Sequence, residues 1–226
     1  MRKTITWLIL FGIAMAFLES AVVIYLRKIY YPDGFQLPIR VIEPSVALVE
    51  ILREAATLIM LIAVAILSGK SKAERFSFFL LCFGIWDIFY YIFLKLFLDW
   101  PATIFEPDIL FLIPVPWIGP VLAPVILSGM MILFAFKLIR TGNAKAGVLS
   151  GKKLLFYIAG SLVVIFSFTY NFQKYVTGKH TSSESMSNPV SFPDFNWLLF
   201  FSGVLFLVVP FISDQVQKRP GISERN

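Results

Sequence analysis

Six stretches of mostly apolar residues, each about 20 residues long, alternate with shorter polar segments along this chain. A helix that crosses the hydrocarbon core of a membrane needs about 20 such residues. None of the stretches alternates with period two, as the strands of a membrane β-barrel do. The pattern therefore predicts an all-α integral membrane protein, a bundle of about six transmembrane helices in a single domain over residues 1–226. The expected spans are about 5–26, 45–67, 76–98, 117–139, 154–172 and 195–212.

The segment between the third and fourth expected spans is rich in proline, with six between positions 99 and 124. The prolines flank an apolar run from Ile109 to Ile113, and Asp108, directly after a proline, suits the first turn of a helix. Pro114 would end that helix, which is too short to span a membrane. We therefore expect a short interfacial or re-entrant helix here, and a kink at Pro124 inside the fourth span.

Lys and Arg are distributed unequally between the two sides of the predicted bundle. Thirteen lie in the termini and in the second and fourth connecting segments, against five in the other three segments. Because cytoplasmic segments carry the excess of basic residues, we expect both termini in the cytoplasm. Residues 1–16 also have features of a cleavable signal peptide. The apolar run continues to Leu26, which favours a retained helix, and cleavage would leave the other five spans in place.

The composition restricts the possible chemistry. Apolar residues make up 58% of the chain and charged residues 15%, with a mean hydropathy of +0.80, which excludes an ordinary water-soluble domain. Cys82 is the only cysteine and His180 the only histidine, which excludes an intrachain disulfide and argues against a bis-histidine haem and a Ser-His-Asp triad. We expect no metal and no cofactor. The net charge of +6 fits a face that lies against anionic lipid better than it fits binding to nucleic acid.

Small residues recur at positions where helices could approach one another closely. Gly12, Ala16 and Ser20 are spaced by four residues and so share one face of the first span. Glycines near the middles of four other spans are expected to act in the same way: Gly84, Gly129, Gly160 and Gly203.

Ionisable residues at membrane depth are the main candidates for a functional site, because such charges are costly and usually face a bundle interior or a cavity. Helical spacing places them on common stripes in the second and third spans. The sequence therefore predicts an outward-facing, carboxylate-rich pocket. The candidate proton or cation acceptors are Glu19, Glu50, Glu54 and Asp87, the counter-charges are Arg53 and Lys95, and the other polar lining residues are Thr57, Tyr91 and Asn171. The alternative is a structural network of ion pairs that holds the first three helices together.

Two segments, Trp86 to Tyr91 and Pro114 to Pro124, resemble stretches of small bacterial polytopic inner-membrane proteins. The resemblance implies a multi-pass bacterial inner-membrane protein and implies no activity. Three functions stay open for such a chain. The first is a small transporter or permeation unit, with or without proton coupling, for a cation or small polar solute. The second is a membrane subunit of a larger complex, including a respiratory one, or of a homo-oligomer. The third is an intramembrane lipid-modifying enzyme with a carboxylate as general base.

Overall fold

The computed structural model describes residues 1–31, 43–141, 151–181 and 195–216. Within them the chain forms six α-helices and one β-hairpin. The elements are α1 (Arg2–Tyr30), α2 (Pro44–Ser68), α3 (Lys72–Leu98), β1 (Pro107–Phe111), β2 (Trp117–Pro120), α4 (Leu122–Thr141), α5 (Gly151–Thr181) and α6 (Trp197–Val216).

Five of the helices, α1 to α5, are long and apolar enough to cross a membrane, which supports the prediction of a multi-pass membrane protein. The sixth expected span corresponds to α6, whose apolar part, Trp197–Ile212, is shorter. Most predicted boundaries lie within a few residues of the helix ends. The end of α1 differs in a way that affects the site, because α1 continues past the predicted Leu26 and includes Arg27.

Helix α3 lies at the centre of the first half of the protein and packs against α1, α2 and α4, whereas α5 packs mainly against α6 and β2. Two side-chain hydrogen bonds stabilise the start of α3. The Ser71 hydroxyl accepts a hydrogen bond from the Glu74 N–H at 3.2 Å, and the Glu74 carboxylate accepts one from the Lys70 N–H at 2.8 Å. These bonds satisfy N–H groups that a helix start leaves without partners, and so fix where α3 begins.

The segment predicted to form a short helix between the third and fourth spans instead forms an antiparallel β-hairpin of β1 and β2. Pro107 and Pro120 are partners at the ends of the two strands, where a missing N–H costs no ladder hydrogen bond. Successive strand residues point to opposite faces, so the apolar side chains pack against different neighbours on the two faces of the hairpin. Phe111 packs on Phe83 and Trp86 of α3, and Leu110 packs near Val121.

Helix α4 begins at Leu122, so the fourth predicted span started about five residues too early. Its entry is fixed by two backbone bonds, from the Leu122 N–H to the Ile104 carbonyl at 2.8 Å and from the Val121 N–H to the Glu106 carbonyl at 3.0 Å. Pro124 consequently lies in the first turn of the helix. An N–H at that position would have no intrahelical acceptor, so proline removes no helix hydrogen bond there. The expected mid-helix kink at Pro124 therefore does not arise.

Three of the predicted glycine contacts bring helix backbones close together. A Cβ on Gly84 would lie 2.7 Å from the Ser128 carbonyl oxygen of α4. A Cβ on Gly160 would lie 2.9 Å from the Gly203 carbonyl oxygen, and the reverse distance is 3.0 Å, so α5 and α6 touch at a glycine pair. Gly129 differs from the prediction, since nothing lies within 4 Å of the position its Cβ would take.

Candidate functional site

A cavity of about 150 Å³ lies where α1 ends, α2 begins, α3 ends and the hairpin covers them. We call it the polar cavity and this end of the bundle the hairpin end. Helical spacing explains how α1 contributes to it, because Glu19, Val23 and Arg27 follow one another at intervals of four residues. Strand β1 contributes Asp108 and its neighbours to the cavity wall.

Arg53 of α2 joins two carboxylates from different helices. Its Nε and its second terminal nitrogen donate to Glu50 Oε2 at 3.0 and 2.9 Å, and its other terminal nitrogen forms an ion pair with Glu19 of α1. Thr57 is the fourth member of this group, and its hydroxyl lies 2.6 Å from Glu19 Oε1. The predicted stripe on α2 is therefore real, and it connects α2 to α1.

Glu54 connects α2 to the hairpin rather than to a base. Its two carboxylate oxygens lie 3.1 and 2.9 Å from the backbone nitrogen of Leu112, directly after β1. A buried backbone N–H without an acceptor would destabilise the hairpin. The Glu54 carboxylate therefore fixes the position of the strand end over the cavity.

Arg27 and Asp108 form a second buried ion pair, between α1 and β1. The Arg27 guanidinium donates to Asp108 Oδ1 at 2.9 Å, and the Tyr91 hydroxyl donates to Oδ2 at 3.2 Å. The guanidinium carbon also lies 3.7 Å from the centre of the Trp100 ring. Asp108 is only 4% exposed. Burial raises the pKa of Asp108 above its ordinary value, and the Arg27 charge opposes that rise.

Asp87 lies between α3 and α4 without a basic partner. Its Oδ2 accepts a hydrogen bond from the Ser128 hydroxyl of α4 at 2.8 Å, and among the described side chains it forms no ion pair. It is 9% exposed and lines the polar cavity. The position near the middle of α3 is the one expected from the sequence.

Most of the predicted site residues meet at the polar cavity, and Lys95 does not. The residues that do are Glu19, Glu50, Arg53, Glu54, Thr57, Asp87 and Tyr91. Lys95, predicted as a counter-charge, is half-exposed and pairs with Asp99 Oδ1 at 2.7 Å one turn further along, where it lowers the pKa of Asp99. The side chain of Asn171 lies outside the described residues.

Sequence reasoning missed Arg27 and Asp108, which it placed in two different connecting segments. A signal for Arg27 existed, because it continues the four-residue spacing from Glu19 on one face of α1. No neighbouring residue indicated that its partner is Asp108, which is 81 residues away and is brought close by the hairpin. With these two included, the described lining residues carry five carboxyl groups and two guanidinium groups.

No group of three His, Cys, Asp or Glu side chains within the described residues is arranged to hold a metal ion. The carboxyl groups are instead distributed over the cavity wall, where Glu19 and Glu50 share Arg53, Glu54 accepts from the Leu112 N–H, and Asp108 pairs with Arg27. Comparison with known protein families, with curated proteins and with solved structures finds no match for this chain.

Proposed function

We propose that this chain is a small transporter or permeation unit that moves a cation or small polar solute across a membrane, with a proton coupled to the movement. The observation that carries the proposal is the surplus of carboxyl groups over guanidinium groups among the described lining residues of the polar cavity, and in particular Asp87, which forms no ion pair with a described side chain. A bare carboxylate at membrane depth is costly. Such a group is neutralised either by a proton or by a cation that enters the cavity, and exchange between the two couples them.

The cavity residues take different roles in this proposal. Asp87 and Glu54 are the proton or cation acceptors, with Glu19 and Glu50 assisting. Arg53 pairs with Glu19 and Glu50 and so offsets one of their two negative charges. Lys95 takes no part, because it pairs with Asp99 away from the cavity.

The proposed topology follows from the distribution of Lys and Arg. We propose that the chain lies in a bacterial inner membrane with six spans, with both termini in the cytoplasm and the hairpin end outside. Reporter domains fused after Lys72, after Lys145 and at the C-terminus should then be cytoplasmic, and one inserted at Ser183 should be external. An external C-terminus would contradict both the six spans and the outward-facing cavity.

Flux measurements test the transport proposal directly. The purified chain is reconstituted in liposomes that contain a pH-sensitive dye, and uptake of Na⁺, K⁺, Ca²⁺ and tetramethylammonium is followed under an imposed pH gradient. We expect at least one of these cations to move together with a change in internal pH. Asp87→Asn should reduce that flux at least about tenfold, the effect of roughly 1.4 kcal/mol.

Asp99→Asn is the matched control, because it makes the same chemical change on an exposed residue just after the same helix. It should leave the flux unchanged. Two results would reject transport through this cavity. One is a wild-type flux no greater than that of protein-free liposomes for all four cations, and the other is an equal effect of the two substitutions.

A further inference from the structure

A second and larger cavity, of about 350 Å³, lies between α3, α4, α5 and α6 toward the end of the bundle opposite the hairpin. We call it the apolar cavity. Its walls are almost entirely hydrocarbon and aromatic, with Leu80, Met131, Leu207 and Phe211 as examples from three helices. Its volume lies within the range of ligand sites, which begins at about 300 Å³.

Two of the helices that form the apolar cavity carry a lysine at the end of their cavity-lining stripe. On α4, Met130 and Phe134 line the cavity, and Lys137 follows Phe134 by three residues. On α5, Tyr157 and Ser161 line it, and Lys153 precedes Tyr157 by four residues. Residues three or four apart share a helix face. Because the two helices run in opposite directions, both lysines belong to the same end of the cavity.

Contacts of Lys137 place its charge directly at the cavity wall. Its Nζ lies 3.9 Å from the centre of the Phe211 ring and donates to the Phe211 carbonyl oxygen. The Phe134 ring connects the walls, with ring centres 5.1 Å from Tyr157 and 5.5 Å from Phe211. These three rings line the cavity, and the Lys137 charge beside them forms a cationic rim.

The rim belongs to a strongly basic end of the bundle, where α1 begins, α2 ends, α3 begins, α4 ends and α5 begins. Among the described side chains at this end, Glu74 is the only acid, and its carboxylate accepts from the Lys70 backbone N–H. The basic residues there are Arg2, Lys3, Lys70, Lys72, Arg75, Lys137, Arg140 and Lys153. Basic pockets between transmembrane helices are suited to anionic lipid headgroups.

We propose that the apolar cavity binds an anionic phospholipid, with one acyl chain between α3, α4, α5 and α6 and the phosphate at Lys137, Arg140 and Lys153. The occupant is defined by two features together. An apolar interior takes hydrocarbon, and a cationic rim within a turn of it takes a negative charge. A neutral quinone would use only the first feature, and a soluble phosphate only the second. The site is separate from the polar cavity and does not depend on the proposed transport function.

Lipid retention tests the proposal. The full chain is purified in mild detergent, placed in nanodiscs of phosphatidylcholine with one fifth phosphatidylglycerol, re-extracted, and analysed for bound lipid by native mass spectrometry. We expect about one phosphatidylglycerol per chain to be retained in preference to phosphatidylcholine. The double variant Lys137→Gln with Arg140→Gln should lower that preference at least about tenfold, because each basic residue near an anionic lipid contributes favourably.

The double variant Arg2→Gln with Lys3→Gln is the matched control, since both are exposed bases at the same end of the bundle and belong to α1, which does not line the cavity. It should retain the lipid as the wild type does. Ser161→Phe and, independently, Met130→Phe fill the cavity and should reduce retention of phosphatidylglycerol while the melting temperature in detergent stays within a few degrees.

Four results would overturn the proposal. They are equal retention of the two phospholipids by the wild type, equal loss in the control and test double variants, unchanged retention in both cavity-filling variants, and a co-purified quinone in place of phospholipid. None of these results bears on the cation flux through the polar cavity, so the two proposals can fail separately.

Discussion

The half of the protein formed by α1, α2, α3 and the hairpin differs from the α5–α6 pair in what holds its elements together. In the first, Arg53 and Arg27 each connect two elements through buried carboxylates, and Glu54 fixes the strand end. In the second, Gly160 and Gly203 let two helix backbones touch. Charged contacts of this kind need every partner in place, whereas a glycine contact needs only space. In the polar half, the loss of one charged group therefore leaves a buried partner uncompensated.

Replacing a glycine at the α5–α6 contact should give the largest effect. Gly160→Leu places a side chain where even a Cβ would lie 2.9 Å from the Gly203 carbonyl oxygen, so the helices must separate. We expect a loss of more than about 3 kcal/mol in the free energy of unfolding, beyond ordinary overpacking, and strongly reduced accumulation in membranes. The measurement is unfolding in mixed detergent micelles followed by circular dichroism.

Gly129→Ala is the control for that experiment, because no atom lies within 4 Å of its Cβ position. It should be neutral or stabilise the protein by about 0.5–1 kcal/mol, the difference in helix propensity between Gly and Ala. A destabilised Gly129→Ala together with a tolerated Gly160→Leu would contradict the packing of α5 on α6 described above.

Removing Arg53 should give the next largest effect. Arg53→Met leaves the buried carboxylates of Glu19 and Glu50 without their base, and we expect a loss of about 3 kcal/mol in the free energy of unfolding. Adding Glu19→Gln and Glu50→Gln to this variant should recover most of the loss, since no uncompensated charge remains. If the triple variant is as unstable as Arg53→Met alone, packing of the long side chain matters more than its charge.

The pH dependence of stability should isolate the Arg27–Asp108 contact. Because the pKa of Asp108 is raised in the folded protein, the folded state binds a proton more readily than the unfolded state. This group therefore contributes stability that is fully present below its ordinary pKa of 3.8 and is lost as the pH rises through the raised value. Asp108→Asn should flatten the dependence of unfolding free energy on pH above pH 4. An equally steep curve for the variant would show that other groups are responsible.

Neutralising the two proposed acceptors should have the smallest effect on stability. In Glu54→Gln the side-chain oxygen can still accept from the Leu112 N–H, and in Asp87→Asn the oxygen can still accept from Ser128. We expect losses of at most about 1 kcal/mol, the size of one weakened hydrogen bond. Both variants should accumulate and melt like the wild type while cation flux falls. If neither variant accumulates, and a variant in which the acid and Arg53 exchange their charges does accumulate, the cluster is a structural ion-pair network. The transport proposal then loses its main support.

Much of the polar cavity could be predicted because its members on α2 and α3 follow local rules. The steps of three and four residues that place Glu50, Arg53, Glu54 and Thr57 on one stripe are a property of any helix. The depth of Asp87 follows from the length of the apolar run around it. Lys95 has the same four-residue spacing from Tyr91 that Tyr91 has from Asp87, so the sequence placed it on the same face of α3. It lies close to the helix end, however, and reaches Asp99 and the carbonyl of Pro101 instead.

The sequence by itself determined the class of protein, the approximate spans and the helix faces that carry charge, because hydropathy and helical periodicity act over about 20 neighbouring residues. Only the tertiary structure decided that residues 107–120 form a hairpin, that Arg27 pairs with Asp108, and that an apolar cavity lies beside Lys137. A short apolar run bounded by prolines fits a helix turn or a strand equally well. The choice depends on backbone and side-chain partners from distant segments, such as Glu54 for the Leu112 N–H, and those partners are brought together only when the helices pack.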